Sequence, residues 1–341
     1  MPEVTIMSIA VMENKGVWDR FVDDSPYGTI FHRWDFLKIV ETHTGYRLLP
    51  YGIYRGSELV SVFPLFFRKE KGMKMLFSPP PRTGIPYLGF VMGPAYDGLK
   101  QRRKEGYAND LADEVSMEIK KLSPNYVSIS TVPGFGDVRS FKWNEFNVDV
   151  NFTYLVDLRR PQEQIWAGFS DDCKRNIKAC KKYDLVLRQA GDADTFYRIM
   201  VERYRQQGLN YPIVGVKYLQ DVLEAFPGNV KMYFLYHREE VVGIEITTQY
   251  KDKLTCWMGA ASVQREIPSN YHIRWELIKM AREMGFKYLE LSGANKRQLC
   301  LNKSTFNPRL AYWFQISRKD ALGRIAELAY ARLVKRKPAL A

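Results

Sequence analysis

Apolar and polar positions fall into two textures along this chain. Over 47–67 and again over 230–259, Tyr, Val, Ile and Phe alternate with polar residues or run together. These runs are broken by Arg55-Gly56-Ser57 and by His237-Arg238-Glu239-Glu240, so they predict strands joined by turns. Elsewhere apolar residues recur every three or four positions, predicting helices over 34–41, 106–122, 161–183, 192–206, 217–226, 270–284 and 322–335. The expected class is mixed α/β (α+β).

Two stretches share one pattern. Tyr54-Arg55-Gly56-Ser57-Glu58-Leu59-Val60-Ser61-Val62 and Tyr236-His237-Arg238-Glu239-Glu240-Val241-Val242-Gly243-Ile244 each read strand, polar turn with an acid, then apolar strand, at an offset of 182 positions. That offset predicts two copies of one fold meeting near 151–161. The expected division is an N-terminal domain over 1–155 and a C-terminal domain over 156–341.

Composition agrees with two packed domains. The chain has 341 residues, 46% of them hydrophobic, where a domain takes roughly 100–200 residues. Lys and Arg outnumber Asp and Glu by 51 to 38, a formal charge of +13 that favours anionic partners. Four cysteines without a CxxC pair and four scattered histidines suggest reduced thiols and no metal site. The first residues, MPEVTIMSIAVMENKG, lack a basic start and a long apolar run, and no stretch nears about 18 uncharged apolar residues. A cytoplasmic location is expected.

The second copy has a telling order: hairpin, a strand through Trp257-Met258-Gly259, Pro268-Ser269-Asn270, an amphipathic helix, then the strand Tyr288-Leu289-Glu290-Leu291. This order resembles the GNAT acyltransferase fold, which implies two tandem GNAT-like domains. In that fold the helix N-terminus normally carries a Gly-rich loop for the pyrophosphate of coenzyme A. Here the loop is Val263-Gln264-Arg265-Glu266-Ile267-Pro268-Ser269-Asn270, without glycine and with a proline that has no N–H to offer.

Further motifs narrow the resemblance. They are Ser25-Pro26-Tyr27-Gly28 with Trp34, Phe36 and Lys38, and Ser170-Asp171-Asp172-Cys173-Lys174-Arg175-Asn176-Ile177-Lys178-Ala179. Arg203-Tyr204-Arg205-Gln206-Gln207-Gly208 with Tyr218-Leu219 comes next, then Leu289-Glu290-Leu291-Ser292-Gly293 and Asn302-Lys303-Ser304-Thr305-Phe306. In order and spacing the set resembles the Fem family of peptidyltransferases, tandem GNAT proteins that move an amino acid from aminoacyl-tRNA to a peptide amine. The chain departs from that family in reading Asn302-Lys303 where Phe-Lys is usual, and it has no room for the long helical hairpin of some members.

The resemblance implies an aminoacyl- or acyltransferase with no bound cofactor. Its donor would be aminoacyl-tRNA, and its acceptor an anionic nucleotide- or lipid-linked peptide or sugar bearing a primary amine. Lys303 takes the catalytic position, where a fixed cation would stabilise the oxyanion that forms as the amine attacks. On residue pattern alone Lys303 reads as an exposed loop lysine. The resemblance places Lys38, Lys217 and Tyr218 around the acceptor, and Trp257 lies on the central strand, in the core or lining the cleft. Lys174, Arg175 and Lys178 share one side of the helix that Ser170 can cap, a face suited to phosphate or tRNA and equally to plain solvation.

Two rivals remain at this level. One is an acyl-CoA-dependent N-acyltransferase acting on an amino sugar or polysaccharide precursor, with acyl-CoA as co-substrate. The other is a non-catalytic RNA-binding protein. The stretch over 322–337 joins Ile325, Leu328, Ala329 and Leu333 to Lys335-Arg336-Lys337, a helix expected to pack on its domain with a basic tip able to touch an acidic membrane.

Overall fold

The structure is a computed structural model, and it describes residues 7–261 and 266–335. The chain divides into two compact units, one drawn from Met1–Asn151 with Tyr312–Arg336, the other from Phe152–Ala311.

In the first unit Arg47–Arg55 and Glu58–Glu70 form an antiparallel hairpin, closed at Gly56, whose positive φ of 62° suits a residue without a Cβ. Met7–Val11 pairs outside Arg47–Arg55, and Met73–Ser78 pairs with the end of Glu58–Glu70. The chain then enters the helix Gln101–Leu122 and returns as Tyr126–Ser130, parallel to Met73–Ser78. That helix buries Leu111, Val115 and Ile119, spaced four apart on one face, and a cluster of Phe63, Phe90, Phe135 and Phe141 fills the interior. The helix Lys15–Asp24, capped by the Asn14 side chain on the Val17 N–H at 3.1 Å, is an addition to the sequence reading.

The second unit repeats this order. Val230–His237 and Glu240–Tyr250 make the hairpin, Lys253–Ala261 follows antiparallel, the helix Ser269–Glu283 crosses over, and Tyr288–Glu290 returns parallel to Lys253. Leu185–Ala190 pairs outside the hairpin, and Tyr288–Glu290 pairs antiparallel with Leu155 to Asp157. Hairpin, crossover helix and parallel strand in both units constitute the internal repeat. The core beneath the second sheet contains Phe169, Ile273, Leu277, Leu289 and Phe306.

Two expectations are revised. The 161–183 helix is two helices, Gln162–Gly168 and Asp171–Ala179, because Ser170 adopts extended backbone and its hydroxyl accepts the Cys173 N–H at 3.2 Å, starting a new helix. Residues 312–336 count with the first unit, whereas a cut at 155/156 assigns them to the second. The physical reason is strand pairing: Gln315 to Lys319 form an antiparallel ladder with Tyr126 to Ser130, burying Ile316. Among the described residues no helix is long and apolar enough to cross a membrane.

Candidate active site

After Tyr288–Glu290 the backbone of the second unit turns sharply. Ser292 and Gly293 both have positive φ, 54° and 48°, and their carbonyl oxygens converge on Lys303 Nζ at 2.6 and 3.4 Å. Lys303 ends the helix Arg297–Lys303 and is only 8% exposed, so the expectation of an exposed loop lysine is corrected. The short helix turns the side chain inward, and the two carbonyls supply the partners that a buried ammonium requires. A Cβ on Gly293 would lie 3.2 Å from Nζ, so the glycine leaves room for the lysine as well as allowing the turn. Burial, then the nearby Arg274 cation, lowers the Lys303 pKa to about 8 against the opposing pull of Glu245.

Glu245 stands in the middle of the apolar strand Glu240–Tyr250 and is 7% exposed. Its cross-strand partner is Gly259, where an added Cβ would come within 2.2 Å of Glu245 Oε2. The glycine therefore creates the space that the carboxylate occupies. Next to this pair the register jumps from Ile246–Met258 to Thr247–Cys256, so Trp257 is the extra residue of a β-bulge. Burial pushes the Glu245 pKa up to about 7, although Arg274 and Lys303 both pull it down.

Arg274, on the helix Ser269–Glu283, completes the group. Its Nη1 donates to Asn302 Oδ1 at 3.1 Å, so the asparagine that departs from the Fem pattern holds this arginine. Among the described residues Arg274 Nε and Ser292 Oγ are buried without a hydrogen-bond partner, and neither Arg274 nor Lys303 makes ion-pair contact with Glu245. A second buried carboxylate in this unit contrasts with it: Glu290 is saturated by Thr153 Oγ1 at 2.8 Å and Lys253 Nζ at 2.6 Å. Glu290 is structural. Glu245 and Lys303 instead lack an ion-pair partner among the described residues, and burial moves the carboxyl up to about 7 and the amine down to about 8.

The remaining expected residues are dispersed. Lys38 lies on the exposed face of Trp34–Thr44 in the first unit and is paired with Glu41. Lys217 pairs with Asp221 at 2.7 Å on the surface, while the neighbouring Tyr218 is wholly buried. Trp257 is buried at the bulge. Lys174 donates to the Ala167 carbonyl at 2.9 Å, Arg175 pairs with Asp172, and Lys178 is exposed. Their helix starts beside the Lys303 region, because the Ser170 N–H donates to the Thr305 carbonyl at 2.9 Å. The four thiols are unpaired, and burial raises Cys173 and Cys180 to about 11, which keeps them protonated and poorly nucleophilic.

Sequence reasoning missed Glu245 and Arg274. A signal for Glu245 existed: one acid inside Val241-Val242-Gly243-Ile244-Glu245-Ile246, a run otherwise fit for burial. Nothing local marks Arg274, whose role depends on Asn302 and Glu245 arriving from distant segments.

Comparison with known proteins agrees with this architecture. Residues 168–297 match the family described as an acetyltransferase (GNAT) domain. No curated protein matches the sequence. Among solved structures, FemX superposes with a TM-score of 0.66 at 12% identity, covering 90% of this chain and 96% of its own. L-PGS from Bacillus licheniformis gives 0.56 at 10% identity, with 95% and 98% covered. A tandem GNAT protein from the clavulanic acid biosynthesis pathway gives 0.54 at 10% identity, with 92% and 98% covered. Residues 168–297 thus correspond to an acyltransferase domain of the GNAT type, and nearly the whole chain shares its fold with FemX and with that tandem GNAT protein.

Proposed function

We propose that this protein transfers an aminoacyl group from aminoacyl-tRNA to a primary amine on a peptide or cell-envelope precursor, working in the cytoplasm. The observation that carries the reading is the buried set of Glu245, Lys303 and Arg274 in the GNAT unit. The acceptor arrives as an ammonium; the Glu245 carboxylate takes one proton, and the neutral amine attacks the ester carbonyl carbon. The carbonyl oxygen becomes an oxyanion, which the Lys303 ammonium stabilises more strongly than it does the neutral carbonyl. On collapse the ribose oxygen leaves with the proton held by Glu245, and the attacking nitrogen gives its second proton to the restored Glu245 carboxylate, which releases it to solvent, so that a neutral amide results. Arg274 keeps the local field positive and depends on Asn302 for its position.

The crossover helix supports an RNA-linked donor over a thioester. The N–H groups of Ser269, Tyr271 and His272 already donate to the Ile267 and Pro268 carbonyls, and Pro268 has none, so this helix start offers little to a pyrophosphate. The Gly-free part of that loop at 262–265 lies outside the described residues. A cationic face on Asp171–Ala179 suits a phosphate backbone. The matched acetyltransferase domain favours acyl-CoA as the second reading. Single-turnover transfer of a labelled aminoacyl group from tRNA, run beside labelled acetyl-CoA with the same amine acceptors, separates the two. Transfer from CoA alone would overturn the tRNA reading, and transfer from neither would point to a protein that binds RNA without chemistry.

A further inference from the structure

Among the described residues of the helix Ala321–Lys335, the small residue Gly323 packs inward while Leu322, Ile325 and Leu328 are exposed. Gly323 lies against the Asn125 carbonyl so closely that an added Cβ would come within 2.1 Å of that oxygen. Glu327 faces the same way, holding Lys319 Nζ at 2.6 Å and lying 3.5 Å from the Tyr126 hydroxyl. At about 100° per residue, Leu322, Ile325 and Leu328 occupy an arc centred on the opposite side. Their exposures are 49%, 64% and 60%. An amphipathic helix of a soluble domain normally points such residues at its own core, so this inverted arrangement needs another apolar phase to cover it.

Charge decides which phase. Glu327, the single acid in the helix, lies on the opposite side from the stripe and is neutralised by Lys319. Asp320, just before it, accepts hydrogen bonds from the Gly323 N–H and the Asn125 side chain at 2.8 and 2.7 Å. Arg324 is exposed beside the stripe, and Lys120 is exposed on the helix end that leads into Asn125. In sequence the helix continues with Arg332 and Lys335, followed by Arg336 and Lys337. Apolar side chains flanked by cations, with the acids internally satisfied, are the pattern that lies in the interface of an anionic bilayer. We propose that Ala321–Lys335 docks the protein on an anionic membrane surface, with Leu322, Ile325 and Leu328 entering the acyl boundary and Arg324 meeting lipid phosphates. This inference is independent of the transfer chemistry.

The test is co-sedimentation of the full chain with vesicles of phosphatidylcholine alone or mixed with phosphatidylglycerol, at low and high salt. The wild type should partition onto the mixed vesicles, weakly onto the neutral ones, and less as salt rises. The triple variant Leu322→Ser, Ile325→Ser, Leu328→Ser should lose at least about tenfold in partitioning, because three aliphatic side chains no longer leave water. Its melting temperature should be unchanged, since the three side chains are exposed. Arg324→Glu should weaken binding to the mixed vesicles only. Failure of the wild type to bind mixed vesicles, or wild-type binding by the triple variant, would overturn the proposal. So would a concentration-dependent dimer in vesicle-free solution that the triple variant abolishes, for then the stripe would be a contact between two copies.

Discussion

Glu245 and Lys303 form a coupled pair, and their proton affinities set a pH signature. The Glu245 pKa is raised to about 7 and that of Lys303 lowered to about 8, so the form with an ionised carboxylate and a charged amine is most populated between them. The kcat/KM for transfer should therefore follow a narrow bell with limbs near those values, read from single-turnover rates between pH 5 and 10. Glu245→Gln should remove the acid limb and slow transfer by about 100-fold to 10,000-fold, as expected for loss of a general base. Lys303→Ala should remove the alkaline limb and cost about 100-fold to 1000-fold, as for a lost oxyanion donor. Both limbs surviving in both variants would place the chemistry on other groups. A stability effect follows from the same burial. Below about pH 4.5 the carboxyl is protonated in both folded and unfolded chains and has no effect. As pH rises towards 7 the unfolded chain gives up the proton while the folded one keeps it, so stability falls, then levels off. A shift from 4.5 to about 7 corresponds to about 3 kcal/mol. Glu245→Gln should thus be more stable than the wild type by up to about 3 kcal/mol at pH 8 in urea titrations, with the gap closing near pH 4. An unstable variant at pH 8 would mean that the carboxylate is a net stabiliser of Arg274 and Lys303.

At the scale of the element, the helix Asp171–Ala179 carries the argument for a nucleic-acid donor. Its start is locally determined: Ser170 caps it, and Asp171 and Asp172 sit at the positive end of its dipole. Its position is set by the Ser170 bond to Thr305 and by packing of Cys173 and Ile177 into the core that also holds Ile273 and Leu277. The cations are thereby left on the outer side. Arg175 is already paired with Asp172, an exposed ion pair of small worth, so it can exchange that partner for a phosphate with little loss. Changing Arg175 and Lys178 together to Ala should weaken tRNA binding without altering the fold. The log–log salt slope should become shallower by about 0.7 for each phosphate that the helix no longer neutralises, measured by filter binding across a salt series. An unchanged affinity and slope would return this face to the solvent.

For the whole molecule, the consequential fact is that the first unit takes a strand from the far end of the chain. Gln315 to Lys319 pair with Tyr126 to Ser130, and Phe314 and Thr131 exchange further hydrogen bonds at 2.8 and 3.0 Å. Removing residues 312–341 would leave Tyr126–Ser130 with an unpaired edge and uncover Val127 and Ile129. The truncated chain should lose stability in the first unit even though its residues 1–151 are intact, seen as earlier proteolytic cleavage within that segment and a tendency to aggregate. Equal resistance of the truncated and full chains would show that this strand contributes little.

Much of the architecture was legible because it is local. Strand alternation in Arg47–Arg55 and Val230–His237, amphipathic spacing in Gln101–Leu122 and Ser269–Glu283, and the Ser170 cap are all read from neighbouring residues. The offset between the two hairpins revealed the repeat, and the short motif at Asn302-Lys303 led to the lysine. The surroundings of that lysine were not legible. Its burial depends on two positive-φ residues ten positions upstream, its field on Glu245 and Arg274, and the space for Glu245 on Gly259 across the sheet. Likewise no local feature ties residues 315–319 to 126–130. The periodicity of side chains is written along the chain, so sequence alone determined most of the elements and their order, while the helix Lys15–Asp24 and the break before Asp171 came only with the structure. The proton affinity of a carboxyl or an amine depends on what surrounds it in space, so only the tertiary structure decided which charged groups could do chemistry.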